Sequence, residues 1–250
     1  MSAPRGRRRP RAGTSILYGR NAVREAVRGR RRVLRVWVTR DAGAELPEGA
    51  PPASVVDRDE IERICGSPDH QGLACEVERY RYAEAERILD DPQALVVALD
   101  QVQDPHNLGA VCRSAECAGV AGLVVPDRRT PDVTAAVCRA SAGAVEHLAI
   151  ARTRNLADFL THARGTGAWV YGAEAGAETA YTEPDYAGRV VLVLGSEGKG
   201  LRPRVRAACD QVVSLPTRGR LGSLNVSAAA AILLYEALRQ RETKMSAQAP

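Results

Sequence analysis

The chain has 250 residues, 45% hydrophobic and 26% charged, with a formal net charge of +5. That length and apolar content suit one large domain or two modest ones with a real core. No run of about 18 apolar residues is present, which excludes a membrane-spanning helix.

The arginines of MSAPRGRRRPRAGTS precede no apolar stretch, so no secretory signal is expected and the cytoplasm is the default location. The basic balance permits nucleic-acid binding without requiring it. Six cysteines (Cys65, Cys75, Cys112, Cys117, Cys138, Cys209) form no C-x-x-C pair, and His70, His106, His147 and His162 complete no metal-ligand spacing. Free thiols in a reducing compartment and no bound metal are the expectation.

In chain order, residues 1–13 carry Arg5, Arg7, Arg8, Arg9 and Arg11 with almost nothing to bury, and read as a disordered basic arm. Asn21–Gly29 places Val23, Ala26 and Val27 at helical spacing, with Arg20, Arg24 and Arg28 on another face. Val33–Thr39 alternates as a strand, Asp57–Cys65 reads as a helix with Cys65 and Cys75 simply buried, and Leu73–Val77 is a further strand. Residues 14–82 are therefore expected to form a small α/β domain.

The polar stretch 83–93 reads as a linker with one short helix. Beyond it, apolar runs at 94–99, 122–125, 169–171, 190–194 and 211–215 alternate with helical stretches near 108–118, 132–140, 155–164, 203–208 and 224–240. Continuous apolar strands separated by helices predict a parallel sheet covered on both faces, in a second domain over 94–242. Cys112 and Cys117 are expected in the core of the first of these helices, and residues 243–250 are expected to be disordered.

Three strand-to-loop junctions in this second domain carry the chemistry, because ligands on such sheets gather at the carboxyl ends of strands. At the first, Asp100–Asn107 leads into a helix that Asn107 would cap, with Arg113 and Glu116 positioned as an i,i+3 surface pair. At the second, Gly195-Ser196-Glu197-Gly198-Lys199-Gly200 follows an apolar strand. A phosphate-binding P-loop fails here, because Val193 stands where its first Gly should be and Gly200 replaces the hydroxyl. At the third, Leu215-Pro216 and a basic loop lead through Ser223-Leu224-Asn225-Val226-Ser227 into the last helix, which Ser223 or Asn225 would cap. A capped helix is the plain reading of each junction alone; the three together point to one polar-ligand site.

Together these segments resemble the SpoU (TrmH-like) family of RNA ribose 2′-O-methyltransferases within the SPOUT superfamily. The match lies in Asn107-x-Gly-Ala-x-x-Arg113 with Glu116, in Leu194-Gly195-Ser196-Glu197-Gly198-x-Gly200, and in Leu215-Pro216 followed by Ser223-Leu224-Asn225-Val226-Ser227. Thr217 and Ala228 depart from the family's usual Met and Val. Tyr18-Gly19-Arg20-Asn21-Ala22-Val23 and His70-Gln71-Gly72 resemble the ribosomal-protein-like substrate-binding domain often attached to these enzymes.

The resemblance implies an α/β fold whose C-terminal parallel-sheet domain contains a deep trefoil knot, preceded by the small RNA-binding domain. It implies S-adenosylmethionine as cofactor, held by Leu194, Gly195, Glu197, Gly198, Leu215, Ser223, Leu224 and Asn225. It implies Asn107, Arg113, Glu197, Ser223 and Asn225 as the catalytic set, RNA contacts at Arg20, Arg24, Arg28, His70 and Arg113, and a homodimer that completes the site. The implied substrate is RNA, above all a guanosine ribose of large-subunit rRNA. Methylation of tRNA or of an rRNA adenosine is the alternative, and a noncatalytic RNA-binding assembly factor or a nucleotide hydrolase belongs to a different class.

Overall fold

The computed structural model describes residues 11–42, 46–196, 198 and 200–248. Most of the basic arm therefore lies outside the described residues, as do Glu197 and Lys199 of the second junction. The chain forms two compact units: residues up to Arg81 with Asp132–His147, and Tyr82–Pro131 with the residues from Leu148 onward.

In chain order the first unit contributes β1 (Thr14–Tyr18), α1 (Arg20–Arg28), β2 (Val33–Thr39), β3 (Ala53–Val56), α2 (Arg58–Cys65) and β4 (Leu73–Glu78). Its sheet runs β1-β4-β2-β3, antiparallel except for β2 and β3. Ile61, Ile64 and Cys65 of α2 pack against Trp37 and Ala74 of the sheet. Asp57 caps α2 by accepting from the Glu60 amide at 2.7 Å, and Gly66 ends it at a φ of 67°. The positive φ is why glycine stands there.

The second unit follows with β5 (Leu95–Asp100), α3 (Pro105–Cys117) and β6 (Gly122–Pro126). The chain then makes α4 (Ala135–Ala140), which packs in the first unit. It returns for β7 (Ile150–Thr153), α5 (Leu156–Gly165), β8 (Trp169–Ala173), β9 (Thr179–Ala180), β10 (Val190–Gly195), α6 (Pro203–Ala207), β11 (Gln211–Ser214) and α7 (Val226–Gln248). The sheet order is β7-β6-β5-β10-β8-β11-β9, parallel at every pairing. β5, β6 and β10 are buried almost throughout, as strands covered on both faces must be.

The sequence reading kept 94–242 together, whereas residues 132–147 fold with the first unit. α4 lies on β1 and α1, and the chain just after it closes a buried ion pair between Arg31 and Glu146, whose side chains are 5% and 0% exposed. Burial is the largest influence and lowers the guanidinium's proton affinity, but the hydrogen bonds and charges of Glu146 and Cys138 together outweigh it and raise it. Such a pair is stable only with both partners present, which ties the two sequence segments together.

Two smaller corrections concern helix α3 and the chain's end. Cys117 is exposed rather than in the core. The last helix runs to Gln248 instead of ending near 240, because Arg241 donates to the carbonyl oxygens of Tyr186 at 2.9 Å and Gln93 at 2.6 Å. Lys244 then pairs with Asp185 at 2.6 Å, adding a second tie.

Candidate active site at the carboxyl edge of the parallel sheet

The carboxyl ends of β10, β8 and β11 and the start of α7 enclose a cavity of about 630 Å³. That volume is in the range of sites that hold a nucleoside-sized ligand. The second and third junctions supply most of the wall: Leu194, Gly195, Ser196, Gly198 and Gly200 from one, and Leu215, Thr217, Ser223, Leu224 and Asn225 from the other. Every described residue expected to hold the cofactor lines this cavity; Glu197 lies outside the described residues.

The loop after β10 is built around absent side chains. A Cβ on Gly195 would sit 2.2 Å from the Gly200 carbonyl carbon and 2.3 Å from its oxygen. The chain curls back here, and the Gly200 amide donates to the Ser196 carbonyl at 3.0 Å. Gly198 and Gly200 have φ of 75° and 62°, conformations that glycine adopts without penalty. Gly195 is also paired with Asp100 across the β10–β5 ladder, so the strand end is held firmly beneath the loop.

The first junction meets the third through its amides. Asp104, not Asn107, caps α3, accepting from the His106 amide at 2.9 Å with Pro105 in the first turn. Proline suits that position because its missing N–H needs no partner there. Asn107 is thereby moved inside the helix, where its Oδ1 accepts from Asn225 Nδ2 at 3.0 Å. Asn225 in turn caps α7, its Oδ1 accepting from the Ser227 amide at 2.8 Å. One side chain thus serves both readings, ending a helix and joining two junctions.

Arg113 is exposed on α3 and does not line the cavity of its own chain. The expected ion pair with Glu116 does not form, and among the described residues Arg113 meets no carboxylate. In the first unit, Arg20 and Arg28 are exposed and Arg24 is half-buried along one side of α1, with Arg28 bonded to Glu25 at 2.9 Å. His70 is a correction. It is only 2% exposed, and its Nδ1 accepts from the Gly72 amide at 2.9 Å, so it shapes a turn rather than facing RNA. Burial, then the nearby Arg58 charge, hold its proton affinity below that of an ordinary histidine.

Sequence reasoning missed Glu174 and Thr217 in the cavity wall, and the pair Asp100–Arg202 beside it. Glu174 directly follows β8, so the rule that ligands gather at strand ends would have found it. Asp100 is 1% exposed and accepts from the Arg202 amide at 2.9 Å and its Nε at 2.7 Å. Its signal was an acidic residue closing an otherwise apolar strand.

Comparison with known proteins decides the family. Residues 94–235 match the model described as the SpoU rRNA Methylase family, and residues 16–83 match RNA 2′-O ribose methyltransferase substrate binding. The chain belongs to the SpoU rRNA methylase family.

Among SpoU relatives, an uncharacterized tRNA/rRNA methyltransferase of Mycobacterium ulcerans is 40% identical over 94% of this chain and 82% of its own. Another, slr0955 of Synechocystis, is 36% identical over 90% of this chain, which spans 62% of that relative's length. The crystal structure of the SpoU methyltransferase AviRb from Streptomyces viridochromogenes, in complex with AdoMet, superposes with a TM-score of 0.77. It is 26% identical, covering 93% of this chain and 92% of that one. The SpoU resemblance, the parallel-sheet α/β class and the attached substrate-binding domain are therefore correct as read from the sequence.

Proposed function

We propose that this chain transfers a methyl group from S-adenosylmethionine to the 2′-hydroxyl of a ribose in RNA, with a guanosine of large-subunit rRNA as the target. The observation that carries the reading is the cavity assembled from two loops of one sheet edge, with the Asn107–Asn225 bond at its side. Its walls fit the cofactor: Leu194, Leu215, Leu224 and Leu233 offer apolar surface for a purine, while Ser223, Thr217 and loop amides offer polar partners. The missing Cβ at Gly195 leaves backbone free to approach a ligand closely. When bound, S-adenosylmethionine supplies a methyl group on a sulfonium sulfur.

The chain's own residues then align the ribose hydroxyl with the methyl group, and the hydroxyl proton passes to water. The bridged pair Asn107–Asn225 holds the start of α3 against the start of α7, so the two polar edges of the site keep their spacing. A planar guanidinium presents donors that match phosphate oxygens, so the role of Arg113 is to grip the RNA phosphate beside the reacting ribose. Because it does not line its own cavity, the reading includes a second copy of the chain bringing its equivalent arginine to the site. The exposed Ile232 and Tyr235 on one side of α7 support that homodimer. The trefoil knot belongs to the same reading, supported by β10 lying between β5 and β8 and by α7 packing back on α3.

The first unit and the basic arm would select the RNA, with Arg20, Arg24 and Arg28 as contacts. Arg113→Ala tests the catalytic assignment: turnover at saturating RNA should fall at least about a hundredfold, since one aligned transition-state contact is worth 2.7–4 kcal/mol or roughly 10²–10³. Near-full turnover would remove Arg113 from the site.

A further inference from the structure

A second concavity opens on the same sheet edge, one strand away from the cofactor cavity. It has a volume of about 590 Å³ and is lined by Gln101, Asp127, Arg128, Arg129, Arg154 and Arg202, at the ends of β5, β6 and β7 and after the β10 loop. Asp100 balances Arg202 and Asp127 offsets one more charge, which leaves two guanidinium charges in excess. Arg128 and Arg154 are exposed, and among the described residues neither meets a carboxylate. The two charges left uncompensated repel one another, a cost that an anion would remove.

The concavity is also rigidly built. Arg152 reaches under the loop after β6 and donates to the carbonyl oxygens of Asp127 at 2.9 Å and Pro131 at 3.0 Å. Its guanidinium lies 4.8 Å from the centre of the Tyr82 ring. Gln101 and Arg129, facing each other across β5 and β6, both take left-handed backbone, with φ of 63° and 61°. Arg129 Nη1 donates to Gln101 Oε1 at 3.3 Å. Strained non-glycine residues persist where the surroundings hold them, and they concentrate at binding sites.

We propose that this concavity binds a backbone phosphate of the substrate RNA, near the nucleotide whose ribose is methylated. The inference rests on the RNA methyltransferase reading and adds to it a subsite in the catalytic unit itself, apart from the substrate-binding domain. Planar guanidinium groups suit phosphate oxygens, and Gln101 supplies a neutral amide beside them. The Asp100–Gly195 pair lies between the two concavities, so a phosphate held in the second would sit beside the ribose presented to the cofactor in the first.

The test is the double variant Arg128→Gln/Arg154→Gln of the full chain, with Arg128→Lys/Arg154→Lys as its charge-preserving partner. Binding of a 30-nucleotide unstructured RNA would be titrated across a salt series, and kcat/KM measured on unmodified rRNA. Losing one phosphate contact should lower the steepness of log affinity against log salt by about 0.7 in the glutamine variant. Its kcat/KM should fall tenfold or more, with unchanged Tm and S-adenosylmethionine affinity, and the lysine variant should recover most of the salt slope.

Equal salt slopes in the wild-type and glutamine proteins would overturn the subsite. So would RNA binding unchanged in the glutamine variant while titrated inorganic pyrophosphate binds it more weakly than wild type, which would assign the concavity to a small anion. Failure of the wild-type protein to methylate any RNA would instead count against the methyltransferase reading, and the two failures are distinguishable.

Discussion

Adding one methyl group at Gly195 should damage the site more than its size suggests. In Gly195→Ala the new Cβ would stand 2.2 Å from the Gly200 carbonyl carbon, 2.3 Å from its oxygen and 2.7 Å from the Leu201 nitrogen. Ordinary contacts there are about 3.5 Å, so roughly 1 Å of movement is required. The strand cannot supply it, because β10 is paired residue by residue with β5 on one side and β8 on the other. The loop must move, and the bond from the Gly200 amide to the Ser196 carbonyl goes with it. Losing that bond costs about 1 kcal/mol and overpacking typically adds about 1–3 kcal/mol.

Thermal unfolding and calorimetric titration with S-adenosylmethionine would read both consequences. The expected result is a Tm several degrees lower and cofactor affinity at least about tenfold weaker, equivalent to 1.4 kcal/mol. Gly198→Ala is the control, since a Cβ there meets nothing within 4 Å although its φ is 75°. It should cost only the left-handed backbone penalty of about 1–2 kcal/mol. A Gly195→Ala protein whose Tm and cofactor affinity match wild type would refute the reasoning.

Other consequences separate structural from functional roles. Asn225→Ala should lower stability by about 1 kcal/mol through the lost cap and also reduce turnover. Asn225→Asp keeps the cap but not the amide donor, so it should restore Tm without restoring activity, and equal rescue of both would contradict the bridging role. Glu146→Ala leaves the Arg31 charge buried and should cost about 3–5 kcal/mol in urea unfolding; a loss below about 1 kcal/mol would show that the pair does not tie the segments together. His70 is buried and its folded proton affinity is depressed, so the unfolded chain takes up the proton more readily. Stability should be level above about pH 6.5, the ordinary histidine value, and decline as pH falls below it. The decline should be shallower in His70→Asn, and identical pH profiles would remove His70 as its cause.

Legibility in the sequence followed how far each signal reached along the chain. Runs such as Val190–Leu194 announce buried parallel strands by themselves, and the glycine, serine and asparagine junctions after them place the cavity wall. β9, with two residues, and β3, exposed on a sheet edge, carry too little pattern to be seen. The cap of α3 was misplaced by three residues because asparagine and aspartate both suit that role; only Pro105 in the first turn separates them. Residues 132–147 look continuous with the second domain, since nothing local reveals that Glu146 answers Arg31 more than a hundred positions earlier. The arginine concavity was hidden for the same reason: Arg128, Arg154 and Arg202 are distant in sequence and meet only when their strands align.

The most direct test of the central claim is transfer of labelled methyl from S-adenosylmethionine to unmodified large-subunit rRNA and, separately, to tRNA, followed by mapping of alkali-resistant linkages. Label at a single ribose of the rRNA, abolished in Arg113→Ala, is the expected result. Label confined to tRNA would replace the target while keeping the chemistry, and a protein that binds no S-adenosylmethionine would contradict the account at its foundation.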